Sequence, residues 1–316
     1  MLRYIIRRLL AMVPLLLVIT GSVFLLGQYG AGDLAMALTM RMTDNNFDED
    51  VYQEMVKKLH QDEPVLKRFG RFVSNALRGD FGVSYVLQGT PDIGRMISKS
   101  LPLSIQLGLD AIFLVILLGI PLGVAAAAWR NTSIDYSIVG VVTILSSIPP
   151  FVLAPIALVV LVAQLKIIPT VSTGWNGMFS REALLPAACL AMGPMLGVVR
   201  YTRASVIDTL SQEYIRAARA RGLSEIMVIV RHVIKNSMTP VLTVLGVTIG
   251  RLLSGSIFIE TVFGIQGIGS VAVLAFQSGD IQTVAATTLV TASLVMASNL
   301  IVDLLYGVLD PRVRLT

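Results

Sequence analysis

Charged side chains are scarce in this chain of 316 residues. They make up only 14% of it, while apolar residues make up 54% and the mean hydropathy is +0.76. A soluble domain carries about one quarter charged residues, so the scarcity excludes an ordinary soluble protein. The single cysteine, Cys189, excludes an internal disulfide. It lies in an apolar run, where a free cysteine is expected to be a small buried side chain.

Two further absences limit the chemistry of the chain. The only histidines, His60 and His232, are not grouped with cysteines or carboxylates at the spacing of metal ligands, so we predict no metal site. The sequence also lacks a glycine-rich loop ending in Lys-Ser or Lys-Thr, the pattern that holds nucleotide phosphates in P-loop ATPases. No segment is large enough for a separate nucleotide-binding domain. The sequence therefore predicts a protein without catalytic residues or a cofactor of its own.

Apolar stretches of roughly 20 residues recur along the chain, which is the length that a helix needs to cross about 30 Å of hydrocarbon. They predict an all-α polytopic membrane helix bundle with six spans: Leu9–Gly27, Leu103–Trp129, Ile138–Leu165, Leu184–Val199, Val241–Phe258 and Val284–Val308. The first is interpreted as an uncleaved span, because its apolar run exceeds the core of a cleavable signal peptide.

The basic residues indicate the orientation of these spans. In a membrane protein, a net charge of +5 records the positive-inside rule rather than nucleic-acid binding. Six spans put both termini on one side of the membrane. With the N-terminus inside, the short outer loops hold only Lys166 and Arg181, whereas the inner segments are rich in arginine. This asymmetry predicts that both termini are cytoplasmic.

The chain divides into three predicted parts. Residues 1–30 form an N-terminal transmembrane helix, residues 31–100 an extracytoplasmic subdomain, and residues 101–316 a core of five transmembrane helices with a cytoplasmic loop at 200–236. In the subdomain, helical spacing over Asp48–Leu77 with a break at Pro64 predicts two short helices. Nine basic and ten acidic residues give it a soluble surface. A solvated cap and a surface that docks a partner are equally compatible with this composition.

The cytoplasmic loop contains the basic, alanine-rich sequence EYIRAARARG. Helical spacing over Ser211–Arg221 places four residues on one face: Tyr214, Ala217, Ala218 and Arg221. Gly222 is expected to end this helix in a left-handed conformation, and Ser224 with Glu225 to begin a second helix. A face of small side chains permits the close approach of another protein, while a basic amphipathic helix can also lie on anionic lipid. The residues alone leave both interpretations open.

Polar residues within the spans are candidates for a translocation pathway, because they are costly in lipid. Four qualify: Asp110, Arg251, Glu260 and Asp303. Arg251 lies centrally in the fifth span, where contact with the pathway and a buried ion pair are equally expected. For Asp110 and Asp303 a structural role is favoured.

Two segments with helix-breaking residues are candidates for a widened cavity and an outer gate. Pro149 and Pro150 remove backbone donors in the third span and predict a kink or break there. Glu260 is expected to begin a re-entrant outer turn that contains three glycines: Gly264, Gly267 and Gly269. An absorbed kink and an ordinary loop are the alternatives.

Several motifs carry a resemblance to a known family. YIRAARARGLS resembles the EAA-type loop of permease subunits in binding-protein-dependent ABC importers, with Gly222 at the glycine of that motif. Arg216 replaces the glutamate of the general motif, as in the dipeptide, oligopeptide and nickel permease branch. Other segments also resemble that branch: YIIRRLLAMVPLLLVIT near the N-terminus, GDFGVSY at Gly79–Tyr85, SIPPF at Ser147–Phe151, ETVFGIQGIG at Glu260–Gly269 and LYGVLDPRVR at Leu305–Arg314. Gln266 departs from the proline that is common at its position.

The resemblance covers nearly the whole chain and implies a type I ABC importer permease, similar to the B-type subunit of dipeptide and oligopeptide importers. It implies a bacterial inner-membrane protein, in contact with lipid and not with nucleic acid, that forms half of a pathway beside a second related permease subunit. Two cytoplasmic ATPase subunits would bind ATP and Mg²⁺, and an extracytoplasmic solute-binding protein would deliver the solute. Eight residues are implied in coupling to the ATPases: Glu213, Tyr214, Arg216, Ala217, Ala218, Arg219, Arg221 and Gly222.

Two alternatives to an importer of di- or oligopeptides remain. Within the family, the same machinery could carry nickel chelates, glycosides or another small solute. From a different class, a secondary carrier driven by a proton or sodium gradient should need carboxylates deep in its spans, and those of this chain are few and peripheral.

Overall fold

The computed structural model describes residues 2–30, 33–87, 92–168, 177–253 and 257–309. The helices in chain order are α1 (Leu2–Gly30), α2 (Leu34–Met42), α3 (Glu49–Lys58), α4 (Val65–Ala76), α5 (Ile93–Leu114), α6 (Ile120–Ala128), α7 (Ser133–Ser147), α8 (Pro150–Ala157), α9 (Arg181–Leu210), α10 (Glu213–Ala220), α11 (Glu225–Val228), α12 (Ile234–Leu253), α13 (Ile257–Phe263), α14 (Ile268–Gln277) and α15 (Ile281–Leu309). Three π-helical segments extend them: Val115–Gly119, Leu158–Gln164 and Ile229–Val233.

Four segments are helical, long and apolar enough to cross a membrane: Ile5–Tyr29, Ile93–Ala128, Arg181–Leu210 and Ile281–Leu304. Two broken pairs of helices meet the same test only when each pair is taken together: Ser133–Ser147 with Pro150–Gln164, and Ile257–Phe263 with Ile268–Gln277. The described residues therefore contain up to six spans. Five of the six predicted spans lie largely within these segments, whereas the fifth shares only residues 257–258 with them.

The prediction for the fifth span, Val241–Phe258, requires correction. α12 begins earlier, at Ile234, and ends at Leu253, and residues 254–256 lie outside the described part of the chain. A separate helix, α13, then covers Ile257–Phe263. Glu260 thus lies within a helix and does not begin a turn. Hydropathy shows the length of an apolar run but not where one helix ends and the next begins, so it cannot distinguish one span from two helices within such a run.

The helices group into two compact units. The central unit contains residues 1–5, 104–265 and 295–316, and the N-terminal unit contains residues 6–103 and 266–294. In the central unit, α9 packs against α6, α7, α8, α12 and α13. Its buried alanines Ala183, Ala187 and Ala191 recur at four-residue spacing and so share one face. Small side chains allow helix backbones to approach closely, which is how helices associate where lipid removes the hydrophobic driving force.

The third predicted span is broken at its two prolines, as expected. α7 ends at Ser147, α8 begins at Pro150, and the axes of the two helical segments differ in direction by 98°. Pro149 adopts an extended backbone conformation, φ −57° and ψ 141°, and precedes the first residue of α8. Because two successive residues lack an N–H donor, the α7 ladder cannot continue through them.

The N-terminal unit has an aromatic core. The ring of Phe24 in α1 lies 5.6 Å from that of Phe69 and 6.0 Å from that of Phe72, both in α4. Phe72 is buried in a cluster with Ile93 and Ile97 of α5. The two short helices predicted around Pro64 are confirmed as α3 and α4, and Pro64 directly precedes α4.

Candidate functional site

α10 and α11 form the helix–turn–helix that the sequence predicts. α10 begins at Glu213, two residues after the predicted start, and ends at Ala220. Gly222 follows in the left-handed region at φ +80°, which a residue with a Cβ adopts only with strain. Ser224 caps α11, since its side chain accepts a hydrogen bond from the N–H of Met227 at 3.4 Å. The predictions for Gly222 and Ser224 are confirmed.

One side of α10 is buried within the chain. Ile215 is fully buried and Ala218 is 7% exposed. Both belong to a cluster with Val206 of α9, Val228 of α11 and Val233. The sequence predicts Ala218 on the face that docks a partner, but its side chain is buried within this chain and is not available as a surface. Its spacing of three from Ile215 places it on the side that holds α10 against α9.

The opposite side of α10 is exposed. At about 100° per residue, the residues farthest from Ile215 are Glu213, Ala217 and Ala220, with Arg216 beside them, and all four are exposed. We call these four residues the α10 outer face. Two of them are alanines, so the centre of this face carries only small side chains and allows a partner's backbone to approach closely. The remaining coupling candidates, Tyr214, Arg219, Arg221 and Gly222, are also exposed but lie outside this face.

Two of the exposed coupling candidates are also bound within the loop. The Arg219 guanidinium donates two hydrogen bonds to the Glu225 carboxylate, at 2.7 and 3.2 Å, and so fixes α10 to α11. The hydroxyl of Tyr214 accepts a hydrogen bond from Asn236 of α12 at 3.2 Å. Arg219 therefore orients the helix pair, a role that the sequence analysis did not assign to it.

A buried ion pair joins the end of the bundle that carries α10. Arg203 of α9 donates to both carboxylate oxygens of Asp135 in α7, at 2.7 and 2.6 Å. The Asp135 side chain is 2% exposed and that of Arg203 29%. The N–H of Asn131 also donates to Asp135, at 3.0 Å. The sequence pattern does not indicate this pair, although both residues lie where predicted spans meet the same side of the membrane.

Two of the three carboxylates among the pathway candidates accept hydrogen bonds from other parts of the central unit. Asp110 accepts the backbone N–H of Phe179 at 3.2 and 3.3 Å, and so fixes the segment that precedes α9. Glu260 is fully buried, and the hydroxyl of Ser104 donates to it at 2.8 Å. Asp303 is half-buried in α15. Arg251 lies on α12, and its side chain is outside the part of the chain that the structure describes.

The three glycines of the predicted outer turn have different roles. Gly264 ends α13 at φ +66°, and the next N–H, that of Ile265, bonds to the carbonyl of Glu260 at 2.8 Å. This is the hydrogen bond of a left-handed helix end. Gly267 is extended and precedes α14, and Gly269 lies inside α14. Only Gly264 therefore needs the conformational freedom of glycine for the turn.

Comparison with known proteins gives consistent results. Residues 119–315 match the family model described as "Binding-protein-dependent transport system inner membrane component". The dipeptide transport system permease protein DppB of Bacillus subtilis is 33% identical, covering 100% of this chain and 99% of its own length. The oligopeptide permease proteins AppB of Bacillus subtilis and OppB of Escherichia coli are 35% and 31% identical, covering 98% and 99% of this chain and 99% and 100% of their own lengths.

A solved structure supports the fold. A chain of the MetNI methionine ABC transporter in an inward-facing form has a TM-score of 0.54 and 15% identity, and the match covers 68% of this chain and 97% of that one. The expected fold of a type I ABC importer permease is thereby confirmed.

Proposed function

The chain belongs to the family of inner membrane components of binding-protein-dependent transport systems, and we propose that it is a permease subunit of an ATP-driven importer of di- or oligopeptides. The similarity to dipeptide and oligopeptide permease proteins extends over essentially the full length of this chain and of those relatives. The subunit itself is proposed to be non-catalytic, with ATP hydrolysed by partners.

The α10 outer face is the proposed surface on which an ATPase subunit docks and through which ATP hydrolysis is coupled to transport. A docking helix must be attached firmly to its own subunit and present a surface to the other protein. The burial of Ile215 and Ala218 supports the attachment, and the exposure of Ala217 and Ala220 supports the surface. The Arg219–Glu225 pair fixes the orientation of α11 relative to α10.

Coupling requires that the partner hold this face differently in its different nucleotide states. ATPase subunits that close on ATP and separate after hydrolysis would move α10 as a rigid lever on α9. The Arg203–Asp135 pair would pass that motion from α9 to α7, since both ends of the pair are fixed. Because the span is broken at Pro149 and Pro150, α7 would then be able to move independently of α8.

The complete importer is proposed to contain this subunit, a second related permease subunit, two cytoplasmic ATPases and an extracytoplasmic solute-binding protein. The loop 200–236 and both termini would lie in the cytoplasm, because the arginine-rich segments belong inside. Asp110 and Glu260 are proposed as residues that position helices around the pathway rather than as ligands of the solute, since each is buried and hydrogen-bonded within the central unit.

Replacing Ala217 by arginine tests the proposal. The assembled importer is reconstituted in liposomes, and ATP-driven uptake of a labelled dipeptide is measured. A long charged side chain at the centre of the α10 outer face should separate it from the ATPases and lower uptake by about tenfold or more, the effect of about 1.4 kcal/mol on a rate. Folding should be preserved, because the Ala217 side chain is exposed.

The matched control is Ala128→Arg, the same substitution at an exposed alanine that ends α6. It should leave uptake within about twofold of the wild type, as expected for a surface change that costs at most about 0.5 kcal/mol. Wild-type uptake by Ala217→Arg would refute the role of α10. Uptake of a nickel chelate in place of the peptide would refute the proposed substrate and leave the role of α10 intact.

A further inference from the structure

The N-terminal unit contains a cavity of about 360 Å³. Ligand sites in proteins begin at about this size. Its lining comes from the last turns of α1, from α2 and α4, from the C-terminal end of α3, and from the segments around Phe81 and Gln282. Phe24 and Gln28 lie near the C-terminal end of the apolar segment Ile5–Tyr29, which is long enough to cross a membrane.

Four lysine or arginine side chains line this cavity, but only one carboxylate of the described residues does. Arg41 comes from α2, Lys58 from α3, and Arg68 and Arg71 from α4, while Asp80 is the acidic residue of the lining. Residues 31–99 as a whole are balanced, with nine basic and ten acidic residues. The fold therefore places more basic than acidic side chains around this cavity, which gives it an excess of positive charge.

Arg71 has a hydrogen-bonded carboxylate, whereas Arg68 has none among the described residues. The Arg71 guanidinium donates to Glu63 at 2.6 Å, and this hydrogen bond holds the pKa of Glu63 below its ordinary value. Arg68 lies on the same side of α4 and is half-buried, but it has no hydrogen bond or ion pair with any of the described residues. Burial lowers the pKa of Arg68 most, the nearby Glu63 carboxylate raises it, the charge of Arg71 lowers it, and the Asp62 carboxylate raises it. A half-buried arginine without a hydrogen-bonded carboxylate favours an anion from outside.

The other walls of the cavity are apolar. Phe24, Leu38, Phe72 and Phe81 line it and are mostly shielded from solvent. The Lys58 ammonium is held 5.5 Å above the ring of Tyr85, which also belongs to the lining. A fully hydrated inorganic ion would leave these walls unused. The combination suits a molecule with an anionic head and an apolar body.

We propose that this cavity binds the oxyanion of a small amphiphile, a phosphate or a carboxylate, between Arg68 and Arg41. The same chemistry is offered by the headgroup of an anionic phospholipid and by the C-terminal carboxylate of a short apolar peptide. The first would anchor the N-terminal unit to the membrane. The second would give the unit a peptide site of its own. The proposal does not depend on α10 or on the ATPases.

Binding is measured by calorimetry on the full chain in nanodiscs of phosphatidylcholine. Two pairs of compounds separate the sources: dihexanoyl phosphatidylglycerol against dihexanoyl phosphatidylcholine, and the dipeptide Leu-Leu against its C-terminal amide. The phosphate of phosphatidylglycerol lacks the cationic choline that neutralises the phosphate of phosphatidylcholine, and the dipeptide has a carboxylate that its amide lacks. In at least one pair, the member with this anionic group should bind once per chain and its counterpart should not. The substitution Arg68→Gln should weaken that binding by about tenfold or more, the loss of one charge-assisted hydrogen bond.

Two further variants make the test specific. Arg78→Gln removes the same charge from an exposed position just after α4, outside the cavity, and should leave the affinity unchanged. Arg68→Lys keeps the charge and should retain part of the affinity, which excludes a loss caused by misfolding. Phosphatidylglycerol binding that needs Arg68 identifies a lipid site, and dipeptide binding that needs Arg68 identifies a carboxylate site. Absence of binding by both anions, or binding that Arg68→Gln does not weaken, would overturn the proposal.

Discussion

Identical residues next to one another in α10 have opposite environments. Ala217 is exposed and Ala218 is buried, and the two have the same sequence context of small and basic residues. The spacing predicted correctly that a helix forms and that Gly222 ends it. It could not show which side faces α9, because Tyr214 and Ile215 are both large and either could have been the anchor. That choice is made by the cluster of Val206, Val228 and Val233, which come from other parts of the chain.

The burial of Ala218 gives a prediction about local stability. Ala218→Leu should overpack the cluster and destabilise the α10–α11 loop by about 1–3 kcal/mol. Amide hydrogen exchange in α10 should then accelerate, since exchange reports local opening. Ala220→Leu, the same substitution on the α10 outer face, should leave exchange nearly unchanged. Equal effects of the two variants would contradict the assignment of the buried side.

Gly222 gives a second prediction, because its left-handed conformation is the only obstacle to a side chain. Apart from Gly222 and its two chain neighbours, no heavy atom of the described residues lies within 4 Å of the place where its Cβ would be. Gly222→Ala should therefore cost only the conformational strain, about 1–2 kcal/mol, and speed exchange in the same loop. Gly193→Ala, where the Cβ would also meet nothing and the backbone is helical, should be neutral or slightly stabilising. An unaltered loop in Gly222→Ala would show that the residue is not held left-handed in solution.

At the scale of helices, the sequence predicted which segments are apolar better than where they break. The broken third span could be predicted, because Pro149 and Pro150 act locally. The division of the fifth predicted span between α12 and α13 could not, because no proline marks it. The ion pair of Asp135 and Arg203 was also missed, since it joins residues 68 positions apart and depends on how α7 and α9 pack.

Two arginine–carboxylate pairs of similar geometry should differ in their contribution to stability. In each pair the guanidinium donates two hydrogen bonds, but Asp135 with Arg203 is buried, whereas the side chains of Arg219 and Glu225 are 43% and 62% exposed. Asp135→Ala leaves a partly buried arginine without its partner and should cost about 3 kcal/mol. Glu225→Ala should cost less than about 1 kcal/mol. Thermal unfolding of the two purified variants checks the order, and an equal loss would contradict the role of Asp135 as a brace between helices.

At the scale of the whole molecule, family and fold were predictable from motifs spread over the chain, and the comparisons bear them out. The cavity of the N-terminal unit was not predictable. Its cations lie on α2, α3 and α4, and their sequence neighbours balance their charges, so only the folded arrangement separates the two signs. Docking of the α10 outer face onto an ATPase is the claim on which the proposed function depends.

Site-directed cross-linking from Ala217→Cys tests that claim most directly. The one native cysteine, Cys189, is buried, so the introduced thiol at an exposed position is the reactive one. In membranes containing the assembled importer, a short thiol cross-linker should join this residue to an ATPase subunit, and the yield should change when ATP is added. Modification of the same cysteine by a membrane-impermeant maleimide from the outer side, or its attachment to lipid alone in the assembled complex, would contradict the account.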